Sequence, residues 1–225
     1  MIRVSLAICV YNGADYIDRA IRSCLNQVLI NTKIEVIVVN DGSTDNTKEI
    51  CKSFGKSIKY IEIPSNLGIS TASNIAIKNS KYDYFMRVDS DDFLNQMAVM
   101  YMSSILEANS DIDFVVCDHI RVDNFGQKTK LVKLDSNHMI YRHGAGILFR
   151  RVILDSVGQY DETIRNCEDF DLLARMIILH KCKYFYMPIA LYRYYIHSKN
   201  LTLNPERASA WKNVAIRYGL NCIEL

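Results

Sequence analysis

The feature that most constrains this chain is a largely apolar run that ends abruptly in acid. Residues 84–88 (YFMRV) are followed by Asp89, Asp91 and Asp92, three carboxylates within four positions. A short apolar run bounded by a polar break is typical of a buried parallel strand. Ligands of open α/β sheets bind just beyond the carboxyl ends of such strands. The sequence therefore predicts a crowded acidic cleft at the end of this strand.

The acidic cluster has two chemical interpretations. Like charges this close repel, so one acid must stay protonated unless a cation lies between them. Hard oxygen ligands suit Mg²⁺ or Mn²⁺, which proteins often hold with one or two carboxylates plus the phosphates of a substrate. The alternative is a solvated acidic turn that caps a helix beginning near Asn95, since Asp and Ser are ordinary turn and N-cap residues.

Strand and helix patterns alternate through the first half of the chain. Strands are predicted at residues 3–9, 34–39, 58–63 and 84–88, and helices at 14–28, 47–54 and 71–79. This alternation predicts an α/β fold, with a mostly parallel central sheet and helices on both faces. The second half predicts strands at 113–122, 130–134, 184–187 and 190–196, and helices at 152–157, 167–180 and 205–218.

Composition excludes several classes of protein. A length of 225 residues predicts one domain, and a net charge of +2 is too small to imply a nucleic-acid partner or a membrane surface. Seven cysteines, an odd number, stand mostly in apolar segments and are interpreted as buried thiols of a reducing compartment. No signal peptide and no apolar run of membrane-spanning length are recognised. We expect a cytoplasmic protein, at most peripherally attached to a membrane.

Other nucleotide and phosphate enzymes fit the motifs poorly. No G-x-G-x-x-G follows the first strand, and no P-loop is present. An aspartyl-phosphate hydrolase would carry its Asp-x-Asp after an early strand, whereas Asp89 follows the fourth predicted strand. A nucleotidyltransferase would be expected to open with a glycine- and basic-rich loop, which residues 9–13 (CVYNG) do not provide.

Six short motifs occur in a distinctive order. They are residues 4–12 (VSLAICVYN), 39–45 (VNDGSTD), 66–68 (NLG), 87–92 (RVDSDD), 158–162 (GQYDE) and 168–172 (EDFDL). In this order and spacing, over residues 2–200, the chain resembles a family 2 glycosyltransferase with the GT-A fold. The resemblance implies one GT-A domain with a small antiparallel sheet on the acceptor side. Residues 1–92 would form the nucleotide-sugar half, 93–200 the acceptor half and 201–225 a C-terminal helix.

The resemblance implies a nucleoside-diphosphate sugar, most simply a UDP-sugar, bound across the ends of the first strands. The implied donor-binding residues are Val10, Tyr11, Asn12, Asp41, Asn66, Gly68, Arg87, Asp89 and Ser90. Tyr11 would stack on the base, or else be a core tyrosine. Asp41 would accept a hydrogen bond from the base edge, or else form an Asx turn over Gly42. Where family members often carry Ala-Arg-Asn, this chain has Ala72-Ser73-Asn74, so an arginine contact to the donor is missing.

The resemblance also implies metal ligands. Asp91 would bind Mn²⁺ or Mg²⁺, and the cation would bridge the two phosphates and neutralise the leaving diphosphate. Asp92 would cap the next helix or hold a metal-bound water. His197, or alternatively Arg193, would reach the metal or diphosphate from residues 192–197 (YRYYIH). The alternative for His197 is a surface histidine.

Glu168 and Asp169 are the implied catalytic pair. Inverting transfer needs a carboxylate to take the proton of the attacking hydroxyl, and Asp169 is assigned this role with Glu168 orienting it. The alternative is that both merely complement a helix dipole. Gly144, Ala145 and Gly146 would line the acceptor side, and the arginines that follow at 150 and 151 would meet an anionic acceptor or solvent.

The acceptor implied by the resemblance is a glycan, a lipid-linked sugar or a protein. A different class of function also fits the sequence. Without the arginine of the Ala-Arg-Asn motif, the chain would be a catalytically weak, transferase-like binding subunit of a glycan-assembly complex. Slow hydrolysis of a nucleotide sugar by the pure protein separates the two.

Overall fold

One nine-stranded sheet forms the centre of the computed structural model, which describes residues 1–123, 125–135, 139–198, 200, 202 and 204–220. Its strands are β1 (Ile2–Val10), β2 (Thr32–Asp41), β3 (Lys59–Ile63), β4 (Tyr84–Asp89), β5 (Phe93–Leu94), β6 (Phe114–Val122), β7 (Lys128–Val132), β8 (Leu148–Arg150) and β9 (Tyr184–Tyr195). The strand order is β3-β2-β1-β4-β8-β6-β9-β5, and β7 pairs with β6.

The first four strands are parallel neighbours, as the alternating pattern predicts. β1 lies between β2 and β4, and β3 pairs with the outer side of β2. Because parallel strands end at the same edge of a sheet, the loops after β1, β2 and β4 meet there. The predicted α/β fold class with a mostly parallel sheet is confirmed.

Helices cover both faces of the sheet. They are α1 (Ile17–Leu25), α2 (Thr47–Ser53), α3 (Ile69–Asn79), α4 (Ala98–Ala108), α5 (Arg151–Val157), α6 (Glu168–Ala174) and α7 (Glu206–Arg217). Alternate residues of β1 separate two cores, since Leu6 and Ile8 pack with α1, α2 and α4 while Ala7 and Cys9 pack with α3, α5, α6 and α7. Among the residues the structure describes, no helix is long and apolar enough to cross a membrane.

The antiparallel strands extend the central sheet. β8 is antiparallel to both β4 and β6, so β6 runs in the same direction as β4, and β9 continues parallel to β6. The small antiparallel sheet that we expected on the acceptor side is therefore not a separate layer. The antiparallel strands β5, β7 and β8 each pair with a strand of the one central sheet.

Two predicted elements differ in detail. The helix predicted at 167–180 is α6 followed by a π-helical turn at Arg175–Leu179. The two strands predicted at 184–187 and 190–196 form one strand, β9, whose pairing with β6 shifts register next to Pro188. Proline has no N–H to donate to the ladder, so it is accommodated at an irregularity.

Arg150 and Arg151 are structural residues. The Arg150 guanidinium donates to the carbonyls of Leu106, Asn109 and Ile112 at and beyond the end of α4. Arg151 donates to the Tyr82 carbonyl and forms an ion pair with a carboxylate one turn along α5. The Arg150 guanidinium is thus engaged by backbone carbonyls, whereas Arg151 is only partly engaged and its side chain is 35% exposed.

Candidate active site

The loop after β2 is organised by Asp41. This carboxylate is buried and accepts the backbone N–H groups of Leu67 and Gly68, each at 2.8 Å. Gly68 has φ +98°, and a Cβ on Gly42 would lie 2.5 Å from the Ser65 backbone. Glycine is therefore needed at both positions. The Asx-type bond in this turn is made by Asn40, which accepts the Ser43 N–H, so the alternative that Asp41 forms the Asx turn is wrong.

Tyr11 and Asn12 line the same edge from the loop after β1. Tyr11 is 50% exposed, which excludes the alternative of a core tyrosine. Asn12 has φ +50°. Its side-chain oxygen accepts the Thr44 N–H at 2.8 Å, and its own N–H donates to Ser43 at 2.9 Å. The loops after β1 and β2 are thus joined, beside the buried end of β1 at Val10 and the exposed Asn66.

Ser73 occupies the position where an arginine was expected. It is fully buried, and its hydroxyl lies 3.7 Å from the Cys9 thiol. The next residue, Asn74, donates to the Tyr160 carbonyl at 2.9 Å and accepts the Tyr160 N–H at 3.0 Å. This part of α3 therefore holds the 158–162 motif in place.

The three carboxylates at and just beyond the end of β4 have different surroundings. Asp92 is buried and accepts the Tyr195 N–H at 2.8 Å. Burial, with Asp91 nearby, raises the pKa of Asp92 well above its usual value. Burial also raises the pKa of Asp89 to about 6, opposed by Arg87 and reinforced by Asp91. Ser90 is half-buried beside Gly13. The expected charge repulsion is thus present in residues 89–92, which we call the acidic loop.

The predicted metal pair is brought together across 106 residues of sequence. The Nε2 atom of His197 lies 2.8 Å from the Asp91 Oδ2 atom, and Asn200 Nδ2 donates to the same oxygen at 3.2 Å. The imidazole packs against the rings of Tyr16 and Tyr195. Arg193 instead donates to carbonyls of its own strand, so His197 is the partner of Asp91.

The donor set of this pair suits a hard divalent cation that also binds phosphates. A carboxylate oxygen and an imidazole nitrogen lie 2.8 Å apart, and Asp89 is a further carboxylate two residues before Asp91. Among the residues described, no group of three His, Cys, Asp or Glu side chains forms a complete cation site. Proteins often hold such a cation with one or two side chains together with the phosphates of a substrate.

Arg87 joins the acidic loop to α6. Its side chain is 4% exposed, with Nη1 3.1 Å from Glu168 Oε1 and Nε 3.4 Å from Asp89 Oδ1. The guanidinium also lies 5.2 Å from the centre of the Tyr160 ring. Its charge is thus engaged by two carboxylates of the protein, where the resemblance implied contact with the donor.

Asp169 lies in the first turn of α6 and is 8% exposed. Its Oδ1 accepts the Phe170 N–H at 2.8 Å, and its Oδ2 lies 3.9 Å from the Arg207 guanidinium of α7. At the C-terminal end of α7, Arg217 and Tyr218 each donate a side-chain hydrogen bond to the Asp171 carboxylate. Asp171 is therefore structural, whereas Asp169 retains an oxygen free of hydrogen bonds to described residues.

At the two glycines predicted on the acceptor side, neighbouring protein groups leave no room for a side chain. A Cβ on Gly144 would lie 2.0 Å from the Asp169 Cβ, and one on Gly146 would lie 2.4 Å from the Tyr192 ring. Ala145 between them is buried. The Gly146 N–H donates to the Arg87 carbonyl at 2.8 Å. The segment is thus wedged between β4, α6 and β9.

Sequence reasoning missed four side chains of this site: Tyr160, Tyr192, Asn200 and Arg207. Tyr160 and Tyr192 fall inside segments that the sequence analysis singled out, so their positions carried a signal. Tyr192 is fully buried and its hydroxyl accepts the Asp89 N–H at 3.2 Å. Asn200 and Arg207 have no such signal, because each acts through a contact with a residue distant in sequence.

Comparison with models of protein families shows which family the chain belongs to. The model of "Glycosyl transferase family 2" matches residues 5–158. The chain belongs to glycosyltransferase family 2. An uncharacterized glycosyltransferase of Rickettsia typhi is 33% identical over 77% of this chain, and glycosyltransferase GlyA of Streptococcus pneumoniae is 31% identical over 81% of it. The chain spans 58% and 25% of the lengths of these two relatives.

Solved structures of glycosyltransferases share the fold. S. aureus TarS (residues 1–349) in complex with UDP-GlcNAc superposes with a TM-score of 0.79 at 20% identity, covering 96% of this chain and 66% of that one. The mannosyltransferase PcManGT from Pyrobaculum calidifontis, in complex with GDP-Man and Mn²⁺, gives 0.75 at 16% identity, covering 99% and 66%. The expected family and GT-A fold are confirmed.

Proposed function

We propose that this family 2 domain transfers a sugar from a nucleoside-diphosphate sugar, most simply a UDP-sugar, to an acceptor hydroxyl with inversion. One observation carries the proposal. Arg87 lies 3.4 Å from Asp89 and 3.1 Å from Glu168, the neighbour of Asp169, which supports a single site for the Asp91–His197 pair and the candidate base. Binding of UDP-GlcNAc by TarS and of GDP-Man with Mn²⁺ by PcManGT supports this assignment.

The donor half of the proposal consists of residues 1–92. Tyr11 stacks on the base, Asp41 and the Asn66–Gly68 loop flank it, and Asn12 and Ser90 line the path to the acidic loop. Asp91 and His197 would hold Mn²⁺ or Mg²⁺. When bound, that cation supplies Lewis-acid polarisation of the diphosphate.

The acceptor half, residues 93–200, supplies the proton acceptor, and the closing helix lies in 201–225. Asp169 takes the proton of the acceptor hydroxyl. At the same time the oxygen of that hydroxyl forms the new bond to the anomeric carbon. The bond from that carbon to the diphosphate oxygen breaks at the same time, and the diphosphate leaves with the electron pair. Glu168, held by Arg87 at 3.1 Å, keeps the first turn of α6 oriented. The acceptor is a glycan, a lipid-linked sugar or a protein.

Asp91→Asn tests the nucleotide and metal assignment. Wild-type protein is expected to gain thermal stability with one of UDP-, GDP-, dTDP- or CMP-sugars, and more with Mn²⁺ present. A ligand at a hundredfold excess over its Kd contributes about 2.7 kcal/mol. The variant loses the Mn²⁺-dependent part, because its amide is a poor cation ligand.

The matched control is Asp111→Asn, an exposed carboxylate paired with Lys183 away from the acidic loop. It should behave like wild type. An Asp91→Asn protein with unchanged Mn²⁺ dependence would remove Asp91 from the metal site. If none of the four nucleotide sugars stabilises the wild type, the proposed function fails.

Gly144→Ala tests the position of Asp169 without changing its chemistry. The added methyl would lie 2.0 Å from the Asp169 Cβ, so the carboxylate must move. A misplacement of about 1 Å costs about 10²-fold in rate, and we expect a loss of that order in transfer with donor binding retained. Gly55→Ala controls for general destabilisation, because its φ of +54° strains an alanine while the added Cβ meets nothing within 4 Å. Wild-type turnover in Gly144→Ala would show that Asp169 need not stay where it is.

A further inference from the structure

Four cationic or imidazole side chains gather beside the candidate base. They are His119, Arg121, His143 and Arg207, which we call the arginine–histidine cluster. The rings of His119 and His143 stack with centroids 4.3 Å apart. Both arginines lie close enough to His143 to lower its pKa. His143 immediately precedes Gly144, the residue packed on Asp169, so the cluster adjoins the proposed acceptor side.

Nitrogen atoms of this cluster lack hydrogen-bond partners. Within the described part of the chain, six buried side-chain polar atoms have none, and three of them are His119 Nδ1, Arg121 Nε and His143 Nε2. An unpaired buried polar group is unfavourable, so native structures usually pair such groups. The other three belong to Arg19, Arg87 and Asp92 around the acidic loop, the site already described.

The Arg207 guanidinium also retains hydrogen-bond donors. It makes an ion pair at 3.9 Å with Asp169 but no hydrogen bond to a described residue, and the Arg207 side chain is 20% exposed. Arg121 is half-buried. Arginine presents a planar fork of donors that matches a carboxylate or a phosphate. Both guanidinium groups therefore retain donors for an oxygen-rich ligand.

The cluster is surrounded by cations, tyrosines and the carboxylate of Asp169, which lies 3.9 Å from the Arg207 guanidinium. The groups that act on the two imidazoles are Arg87, Arg121 and Arg207, and burial keeps both rings neutral, with the pKa of His119 lowered to about 4. Tyr192 and Tyr194 line the remaining side. The neighbouring Asp118 faces away, accepting from Leu134 and Tyr186.

We propose that the arginine–histidine cluster binds an anionic group, a phosphate or a carboxylate, of the acceptor. The proposal rests on the proposed function, since it identifies the substrate class on the acceptor side of that same site. Arg121 and Arg207 bind the anion, and the stacked imidazoles form the adjoining wall. An acidic sugar or a sugar phosphate would be selected over a neutral one.

Calorimetry on protein saturated with UDP and Mn²⁺ tests this, because the donor's diphosphate position is then filled. The probes are glycerol 3-phosphate, glucuronate and neutral glucose. We expect the two acidic probes to bind, the phosphate and carboxylate arms showing which anion is preferred, and glucose to bind at least tenfold more weakly. Arg121→Gln and Arg207→Gln should each weaken binding of the acidic probes at least tenfold.

Arg3→Gln is the matched control, since Arg3 pairs with Asp83 at the opposite end of β1. Arg121→Lys and Arg207→Lys retain the charge and serve if a glutamine variant misfolds. Equal binding of acidic and neutral probes, or acidic binding unchanged in both arginine variants, overturns the proposal. If neither UDP nor any of the other three nucleotide sugars binds, the proposed function is wrong. The same titrations on the free protein then still test the cluster through its variants.

Discussion

Asp169→Asn is expected to leave donor and metal binding near wild type while transfer falls by about 10²-fold or more, the contribution of a positioned general base. The amide keeps the shape of the carboxylate and its bond to the Phe170 N–H. It cannot accept the proton of the acceptor hydroxyl. Turnover and donor affinity, measured separately, check the two halves of this result.

Asp155→Asn is the matched control for Asp169→Asn, because Asp155 is an exposed carboxylate on α5. It should retain full turnover. Wild-type turnover in Asp169→Asn would transfer the role of base to Glu168, the neighbouring buried carboxylate. A parallel loss of donor affinity would instead indicate that Asp169 acts through the fold of the site.

Arg87→Met is expected to destabilise the protein by about 3–5 kcal/mol, the cost of removing one partner of a buried ion pair. Glu168, whose side chain is 9% exposed, and Asp89 would both lose their counter-charge. The free energy of unfolding in denaturant measures the loss. Transfer should fall as well, because the first turn of α6 is no longer held to β4.

The double variant Arg87→Met, Glu168→Gln separates charge from packing. In the double variant only Asp89 is left without its counter-charge, because the Glu168 charge has been removed. We therefore expect the double variant to be more stable than Arg87→Met alone. Its activity should not recover. Strictly additive losses would show that the Arg87–Glu168 pair is not what stabilises this region.

Much of the fold follows from local pattern. The strands at 3–9, 34–39 and 84–88 are apolar runs ended by polar loops, and each is a strand in the structure. The site residues at strand ends are predictable for the same reason, since parallel strands bring their carboxyl ends to one edge. The proximity of Asp91 and His197, 106 residues apart, could be expected only from the family resemblance.

What could not be predicted depends on contacts between distant segments. Arg87 stands in an apolar strand, and nothing local shows that Glu168, 81 residues later, neutralises it. The glycines at 144 and 146 were expected to line the acceptor side, but a Cβ at either would meet Asp169 or Tyr192. The position of Arg207 depends on α7 docking through Trp211 on Phe170, with ring centroids 4.3 Å apart.

The stereochemistry of donor turnover tests the central claim most directly. With the nucleotide sugar identified by thermal stabilisation, proton NMR can follow the anomeric signal of the sugar released to water before it equilibrates. One displacement by a hydroxyl deprotonated at Asp169 predicts that the first-formed product has the anomeric configuration opposite to that of the donor. A first-formed product with the configuration of the donor would contradict the single-displacement mechanism.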